Sequence, residues 1–459
     1  MVSCTKLPNL DRRAFLHAGA LGMGLGLPEL LFREAKSADA KRNTRQNSVI
    51  LLWMRGGPSQ HDLWDPKPDA PVEYRGEFSS ISTNVPGIRL CEYAPLAAAR
   101  MNQWAIVRSL AHRNEDGNVG HSDADQICFT GYRAGPMPDV NVMPSCGAWT
   151  ARYLSDLDPG MPAYVMIPKL LPGASHAWLG PQARAYETLA DPADTRPFLV
   201  PNLGLSKGNA KSLGERTHLL GALDRPISST NTLPTGLDEA GDGIARYQKK
   251  ALDLLTGDRA RIAFDLDREP LKVRERYGMI PAFDPKDAQR CGAPNWAQRM
   301  LLARRLVEAG VRLVTVDCRW WDFHKQGFDS QKRGFLPRWD LAYTALLDDL
   351  KDRGLLDSTL VVAWGEIGRT PKVNEQAGRD HWPHAMSAAF AGGGVIGGRV
   401  VGSTDSKGTA PKDLPKIPHD VLATMYRHLG IDTTLQETDP TGRPFTVLPL
   451  GKPIEELFI

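Results

Sequence analysis

The sequence is poor in cysteine and has no surplus of either charge, and both features exclude classes of protein. Its six cysteines are scattered over 459 residues without a Cys-x-x-Cys pair, so a disulfide framework is not expected, and at most one or two bridges could form. With 56 basic and 53 acidic side chains the net charge is only +3, which provides no overall field for nucleic acid or an anionic membrane. No internal repeat or low-complexity segment is present.

The first 40 residues predict an export signal of the twin-arginine type. Arg12 and Arg13 precede Phe15-Leu16 and a stretch of small residues and leucine that Pro28 interrupts. This stretch is too short and too rich in glycine for a membrane span, which needs ~20 apolar residues. The segment SADA, residues 37–40, offers small residues for cleavage. We therefore expect recognition by the twin-arginine export machinery, a periplasmic or extracellular location and no membrane span after cleavage. The alternative is an amphipathic helix of a cytoplasmic protein.

The rest of the chain predicts an α/β fold with a mostly parallel central sheet sandwiched between helices. Apolar runs of strand length alternate with amphipathic stretches, as in buried parallel strands joined by helices. The strand-like runs are 48–54, 104–110, 163–168, 311–317, 358–364 and 386–393. Residues 45–459 are predicted to form one domain, in which the polar, helical segment 202–295 is an insertion.

Candidate metal ligands follow several of these runs. Because ligands of open parallel sheets bind at the carboxyl ends of strands, the residues directly after the runs are the first candidates. Asp322 and His324 are two positions apart, which puts both side chains on one side of an extended chain. Imidazole and carboxylate together favour zinc or a similar divalent metal. The candidates are His61, Asp62 and Asp65, then Asp317, Asp322 and His324, then Glu366, and finally Asp380, His381 and His384.

Each candidate also has a simpler interpretation. Asp322 and His324 could form a surface ion pair, and Glu366 could pair with Arg369. His384, which follows Pro383, could be structural or could support a ligand. The argument for a metal site is that all these residues fall on one predicted edge of the sheet.

Several motifs together resemble one known family. The segments ILLWMRGGPSQHDLWDPKP, WDFH, VVAWGEIGRTPKVN and GRDHWPHAMSAAFAGGGVIGG, with the twin-arginine leader, are similar to the exported domain of unknown function 1501 family. That family belongs to the alkaline phosphatase and sulfatase superfamily. The resemblance covers nearly the whole chain after the leader. It implies an alkaline phosphatase-like fold with a metal site at the carboxyl edge of the sheet.

The resemblance also assigns roles to individual residues. It implies that Asp322, His324 and His381 hold one metal ion, with Asp62 and Glu366 in an altered second site to which His121 could contribute. The segment GHSDADQICFTGYRAGP resembles the stretch that carries the superfamily's nucleophile, and Thr130-Gly131 match its end. His121 then occupies the nucleophile's place.

This departure leaves the nucleophile open. His121 could bind metal or attack phosphorus or sulfur, and Ser122 could be a shifted nucleophile or a helix N-cap. No Cys-x-Pro-x-Arg motif is present for conversion to formylglycine, which argues against ordinary sulfatase chemistry.

These features predict an exported, metal-dependent hydrolase of phosphate or sulfate esters, with polysaccharide esters among the substrates. The metal is expected to be zinc, with calcium, magnesium and manganese as alternatives, and to polarise the ester oxygen. Arg369 or Arg55 would hold the anionic group, and Asp380 would orient a ligating imidazole. Alternatives are a non-catalytic relative that binds carbohydrate or a protein partner, and a mutase or transferase. The pair Trp320-Trp321 is the best candidate for stacking on a sugar.

Overall fold

The computed structural model describes residues 47–116, 120–155, 160–194, 198–200, 203, 257–279 and 296–459. Its strands are β1 Ser48–Trp53, β2 Ser80–Ser82, β3 Arg89–Cys91, β4 Trp104–Leu110, β5 Tyr164–Ile167, β6 Tyr186–Glu187, β7 Leu313–Asp317, β8 Thr359–Trp364, β9 Gly368–Arg369, β10 His381–Trp382, β11 Met386–Ala391, β12 Arg399–Val401, β13 Ser403–Thr404, β14 Pro411–Asp413, β15 Gln436–Thr438 and β16 Pro444–Thr446.

The α-helices are α1 Val72–Arg75, α2 Pro95–Ala98, α3 His121–Thr130, α4 Cys146–Leu154, α5 Asp258–Phe264, α6 Leu271–Arg276, α7 Trp296–Glu308, α8 Gly327–Ser330, α9 Leu336–Asp352 and α10 Pro418–Leu429. A π-helical turn, Gln331–Phe335, joins α8 to α9. Among the described residues, no helix has the length and apolar character that a membrane crossing requires.

In the described part of the chain, eight strands form the central sheet, in the order β12-β4-β11-β8-β1-β7-β5-β6. Strand β11 runs antiparallel to both neighbours, whereas the other neighbouring pairs are parallel. The prediction of a mostly parallel sheet is therefore confirmed. All six predicted runs are strands, but the sequence did not show the short edge strands β6 and β12 or the reversed direction of β11.

Helices cover both faces of the sheet because β1 is apolar on both sides. Ile50 and Leu52 pack in one core cluster with helices α7 and α9, whereas Val49 and Leu51 pack in another with α4 and α10. Alternate side chains of a strand point to opposite faces, so a strand buried on both faces must be a continuous apolar run. The predicted layer of helices on each face is confirmed.

The sheet order brings the ligand-bearing loops together. Strand β1 lies between β7 and β8, and Trp53 at its end is in register with Asp317 and with Trp364. Because the three strands are parallel and end at the same level, the loops that follow them share one edge. Those loops begin the segments that carry Asp322, His324 and Glu366.

Some predictions concern residues outside those described. The leader, residues 1–40, lies wholly outside them, as does most of the segment 202–295, so the predicted domain boundaries stay predictions. The described part of the segment contains the helices α5 and α6. The four described cysteines, Cys91, Cys128, Cys146 and Cys318, are buried and free.

Candidate metal centre

Asp322, His324 and His381 converge into a tight triangle of potential ligand atoms. Asp322 Oδ1 lies 2.9 Å from His324 Nε2 and 3.4 Å from His381 Nε2. The two imidazole Nε2 atoms are 3.1 Å apart. Ligand bonds to zinc are about 2.0 to 2.2 Å long, so a single ion above this triangle could be reached by all three atoms. The residues that the sequence assigned to one metal site are therefore brought together.

Local backbone structure makes this convergence feasible. His381 opens strand β10, which pairs with β9 so that His381 is opposite Arg369. Gly378, three residues earlier, passes so close to the chain at His324 that a Cβ would lie 2.3 Å from the His324 carbonyl carbon. Only glycine therefore allows the segment carrying His381 to approach the segment carrying His324.

Asp380 orients His324. Its Oδ1 lies 2.6 Å from His324 Nδ1, while the backbone amide of Asp380 donates to Thr370 Oγ1 at 3.0 Å. The hydrogen bond to His324 lowers the pKa of Asp380. With Asp380 ionised, His324 Nδ1 carries the proton and Nε2 presents its lone pair to the triangle. Asp380 thus fixes the His324 ring, and its role beside a bound metal stays a prediction.

His121 and Glu366 form a second pair beside the triangle. His121 Nδ1 is 2.5 Å from Glu366 Oε1, which also accepts a hydrogen bond from the Gly56 amide at 2.8 Å. The His121 ring centre lies 4.2 Å from that of His381, and His121 Nε2 is 3.5 Å from Asp322 Oδ2. His121, Asp322 and His381 likewise form a group whose ligand atoms all lie within 4.8 Å of one another.

Two buried atoms of this pair are poorly satisfied: Glu366 Oε2 makes no hydrogen bond, and His121 Nε2 has only the Asp322 carboxylate at 3.5 Å. A buried polar atom without a partner is costly, and both atoms are of types that bind a divalent metal. Burial lowers the pKa of His121, but the carboxylates of Asp322 and Glu366 outweigh burial and raise it to about 9. The two carboxylates thus favour positive charge at this position. The donor set fits a divalent metal.

Arg369 cannot hold an anionic substrate as the sequence suggested, and its role needs correction. The side chain is 1% exposed. Its guanidinium donates to Asp322 Oδ1 at 2.5 Å, to the Gly57 carbonyl at 3.0 Å and to the Arg379 carbonyl at 3.2 Å, and it also contacts the Gly56 carbonyl. The donors are thus used within the protein. Burial raises the pKa of Asp322, but His121, His381 and Arg369 outweigh it and hold that pKa well below its usual range.

Asp62 lies against a different arginine. Its Oδ1 and Oδ2 each lie 3.0 Å from a nitrogen of Arg379, and both side chains are buried. Arg379 therefore holds both carboxylate oxygens of Asp62, and the group of clustered ligand atoms does not include this residue. The sequence carried no indication of this pairing, because Arg379 is 317 positions away.

Ser122 and His384 have contacts of their own. The Ser122 hydroxyl donates to Asp139 Oδ1 at 2.6 Å. Ser122 is the second residue of helix α3, whose N-cap is Gly120, so it is not the N-cap. His384 is exposed, and its ring lies edge-on to Trp382. Ser122 thus faces the Asp139 carboxylate. Among the described residues, His384 shows no contact with the triangle.

Arg55 is also committed to an internal partner. Its Nε donates to Asp125 Oδ2 at 2.7 Å, and Trp53 Nε1 donates to Asp125 Oδ1 at 3.0 Å. Burial raises the pKa of Asp125 to about 8, with Glu366 adding to the increase and Arg55 opposing it. Trp321 is buried, whereas Trp320 is partly exposed and lies against the guanidinium of Arg55. Of the two tryptophans, only Trp320 could contact a sugar.

Fold and site define an α/β protein with a candidate metal centre at the carboxyl edge of its sheet. A family model described as protein of unknown function (DUF1501) matches residues 46–458, and the chain belongs to that family. The predicted family membership is confirmed. No curated protein matches the chain in sequence.

Several solved structures are similar to this chain at low sequence identity. The phosphonate monoester hydrolase of Agrobacterium radiobacter is 11% identical, with 90% of this chain and 77% of that chain covered and a TM-score of 0.37. The PsFucS1 sulfatase from Pseudoalteromonas sp. is 11% identical, with 87% and 70% covered and a TM-score of 0.35. The lipoteichoic acid synthase LtaP from Listeria monocytogenes is 9% identical, with 85% and 73% covered and a TM-score of 0.32. At these identities and TM-scores the similarity carries no conclusion about this protein.

Proposed function

We propose that this protein is an exported, metal-dependent hydrolase of phosphate or sulfate esters. The observation that carries the proposal is the triangle of Asp322 Oδ1, His324 Nε2 and His381 Nε2, whose edges are 2.9, 3.1 and 3.4 Å. Three ligands with open positions on one side are typical of catalytic rather than structural zinc sites. The proposal includes the periplasmic or extracellular location, which is based on the leader of residues 1–40.

Asp322, His324 and His381 would hold the metal, and zinc suits their nitrogen and oxygen atoms best. The metal would polarise an ester oxygen and lower the pKa of a water molecule. Arg369 fixes Asp322 from the protein interior, and Asp380 fixes His324. Both ligands are thereby held in place before any substrate arrives, as an efficient site requires.

Helix α3 would bind the anionic group of the substrate. It begins at His121, and the first amides of a helix have no partners within the helix, so an anion is favoured there. A phosphate or sulfate at this end would lie beside His121, whose ring is fixed by Glu366 at 2.5 Å. His121 would contact the anionic group through Nε2.

The proposal is tested by elemental analysis of the isolated protein, followed by turnover of aryl phosphates, phosphodiesters and sulfates. We expect about one divalent ion per chain and turnover of at least one ester class. His381→Ala should remove both, because it deletes one corner of the triangle. His384→Ala is the matched control, since this exposed histidine lies three positions away on the same segment, and it should retain metal and turnover.

A second candidate function is a non-catalytic relative that binds carbohydrate or a partner. It is favoured by one observation: the Ser122 hydroxyl is bound to Asp139 and Arg369 is buried, so neither a serine nucleophile nor an arginine clamp is free. Metal without turnover of any ester would support this alternative. Metal and turnover retained in the folded His381→Ala protein would contradict the proposed site.

A further inference from the structure

A groove of about 550 Å³ lies at the carboxyl end of helix α3, away from the metal centre. Three half-buried aromatic rings, those of Tyr132, Trp178 and Phe445, line it. The ring of Phe445 lies 6.1 Å from that of Tyr132 and 6.1 Å from that of Trp178, measured between ring centres. These partly exposed aromatic rings offer apolar surface on which the C–H face of a sugar ring can stack.

Positive charge lies at the rim of this groove. The Arg133 side chain is 58% exposed and lies 3.8 Å from Asp116, whose Oδ1 is already held by Arg113 at 2.5 Å. The exposed Arg443 lies over the ring of Phe445 at 5.0 Å. Asp439, which is acidic and belongs to the described lining, accepts hydrogen bonds from the Thr441 and Arg443 amides. Two exposed guanidiniums are thus placed to bind sulfate or phosphate groups.

The loop of residues 138–142 connects the groove to the metal centre. Near the start of helix α3, Asp139 of this loop accepts a hydrogen bond from the hydroxyl of Ser122, the residue next to His121. Further along the helix, Gln126 donates to the carbonyls of Pro138 and Val140. Farther on still, Val142 lines the groove. The ten residues of helix α3 span ~15 Å at 1.5 Å per residue.

We propose that the groove binds further sugar units of an anionic polysaccharide whose ester group is placed at the metal centre. This inference rests on the proposed function and specifies its substrate class. The sugar rings stack on Trp178 and Phe445, and their sulfate or phosphate groups contact Arg133 and Arg443. A chain of several sugar units spans the distance along helix α3.

The rim charges favour this occupant over an uncharged peptide or a second copy of the chain. An uncharged segment would bring no negative group to the exposed guanidiniums of Arg443 and Arg133, of which Arg133 has Asp116 at 3.8 Å. A second copy has a net charge of +3 like the first, so it brings no overall negative charge to the groove. An anionic glycan supplies sugar-ring faces for the aromatic side chains and negative groups for the guanidiniums.

The experiment measures binding by calorimetry to the full-length, metal-loaded protein. The probes are a sulfated galactan hexasaccharide, the sulfated disaccharide and the unsulfated hexasaccharide. We expect the sulfated hexasaccharide to bind at least tenfold more tightly than either of the others. Arg133→Gln and Trp178→Leu should each weaken its binding about tenfold while turnover of small aryl esters is unchanged. Arg333→Gln is the matched control, because the Arg333 side chain is 56% exposed and lies outside the groove lining.

The outcomes separate the groove from the catalytic proposal. If the sulfated hexasaccharide binds wild type and the folded Arg133→Gln protein equally, the groove proposal is overturned, whatever the turnover. Equal binding of the unsulfated hexasaccharide also overturns it. A concentration-dependent dimer that Trp178→Leu abolishes would show instead that the groove joins two copies. Absence of ester turnover, with charge-dependent binding intact, would contradict the proposed function and leave the groove assignment standing.

Discussion

Arg369 is buried among backbone carbonyls, and this position sets the effect of replacing it. Arg369→Met should lower the free energy of unfolding by about 3–5 kcal/mol, because Asp322 and three carbonyls would lose a buried cationic partner. Urea denaturation measures the change. Arg333→Met, at an exposed position, should stay within ~0.5 kcal/mol of wild type. If Arg369→Met raised KM without loss of stability, an anion-binding role would replace the structural one.

His61 should make the protein sensitive to acid. Burial lowers the pKa of His61 to about 4, and the positive charge of Arg379 adds to this effect. An unfolded histidine has a pKa of about 6.5, so between these values the unfolded chain binds more protons and stability falls as the pH falls. Above pH ~6.5 the protonation of His61 therefore does not reduce the free energy of unfolding. As the pH falls from ~6.5 toward ~4, that free energy decreases.

The test compares wild type with His61→Gln, whose amide can still donate to the Lys407 carbonyl that lies 2.7 Å from His61 Nε2. The unfolding free energy of wild type relative to the variant should fall by about 3 kcal/mol between pH 7 and pH 4. Parallel pH profiles of the two proteins would show that His61 titrates normally in the fold.

The side chains of the site were only partly predictable from sequence. Asp322, His324 and His381 could be found because each belongs to a segment that follows a strand, and parallel strands end at one edge. The pairing of Asp62 with an arginine could not be predicted, because three carboxylates, those of Asp62, Asp322 and Glu366, lie at that edge. Which arginine pairs with which carboxylate depends on packing between segments about 300 positions apart, and no local pattern encodes that packing.

Helix α4 depends on a buried N-cap. Ser145 Oγ accepts a hydrogen bond from the Ala148 amide at 3.2 Å and donates one to the Ala174 carbonyl at 2.9 Å. Ser145→Ala should therefore reduce the free energy of unfolding by about 1–2 kcal/mol. Ser79→Ala, at an exposed position, is the control for urea denaturation. An equal effect of the two substitutions would show that the cap contributes nothing.

Elements buried on both faces were the most predictable ones. Strand β8 is apolar at nearly every position, so its sequence defines both its length and its burial. Strand β11 is equally apolar, yet it runs antiparallel to its neighbours β4 and β8. The side chains of β11 would be buried whether the strand ran parallel or antiparallel to its neighbours. The apolar pattern therefore does not show the direction of the strand. Strand β12, with three residues at the sheet edge, is too short to give a periodic signal.

Metal binding should stabilise the whole molecule, because the proposed ligands come from separate loops that are held together only in the folded state. Zinc at 100 times its Kd should add ~2.7 kcal/mol to the free energy of unfolding. Calorimetry should show a higher Tm for wild type and His384→Ala than for their chelator-treated forms. His381→Ala should show a much smaller shift, and an equal shift there would place the bound zinc elsewhere.

The position of β1 in the sheet has a consequence for biosynthesis. The hexapeptide SVILLW emerges early from the ribosome, but its two neighbours, Leu313–Asp317 and Thr359–Trp364, are translated some 260 and 310 residues later. Until then this strongly apolar segment has both edges exposed and is prone to aggregation. The nascent chain should therefore depend on a chaperone that shields this segment until translation has passed β8.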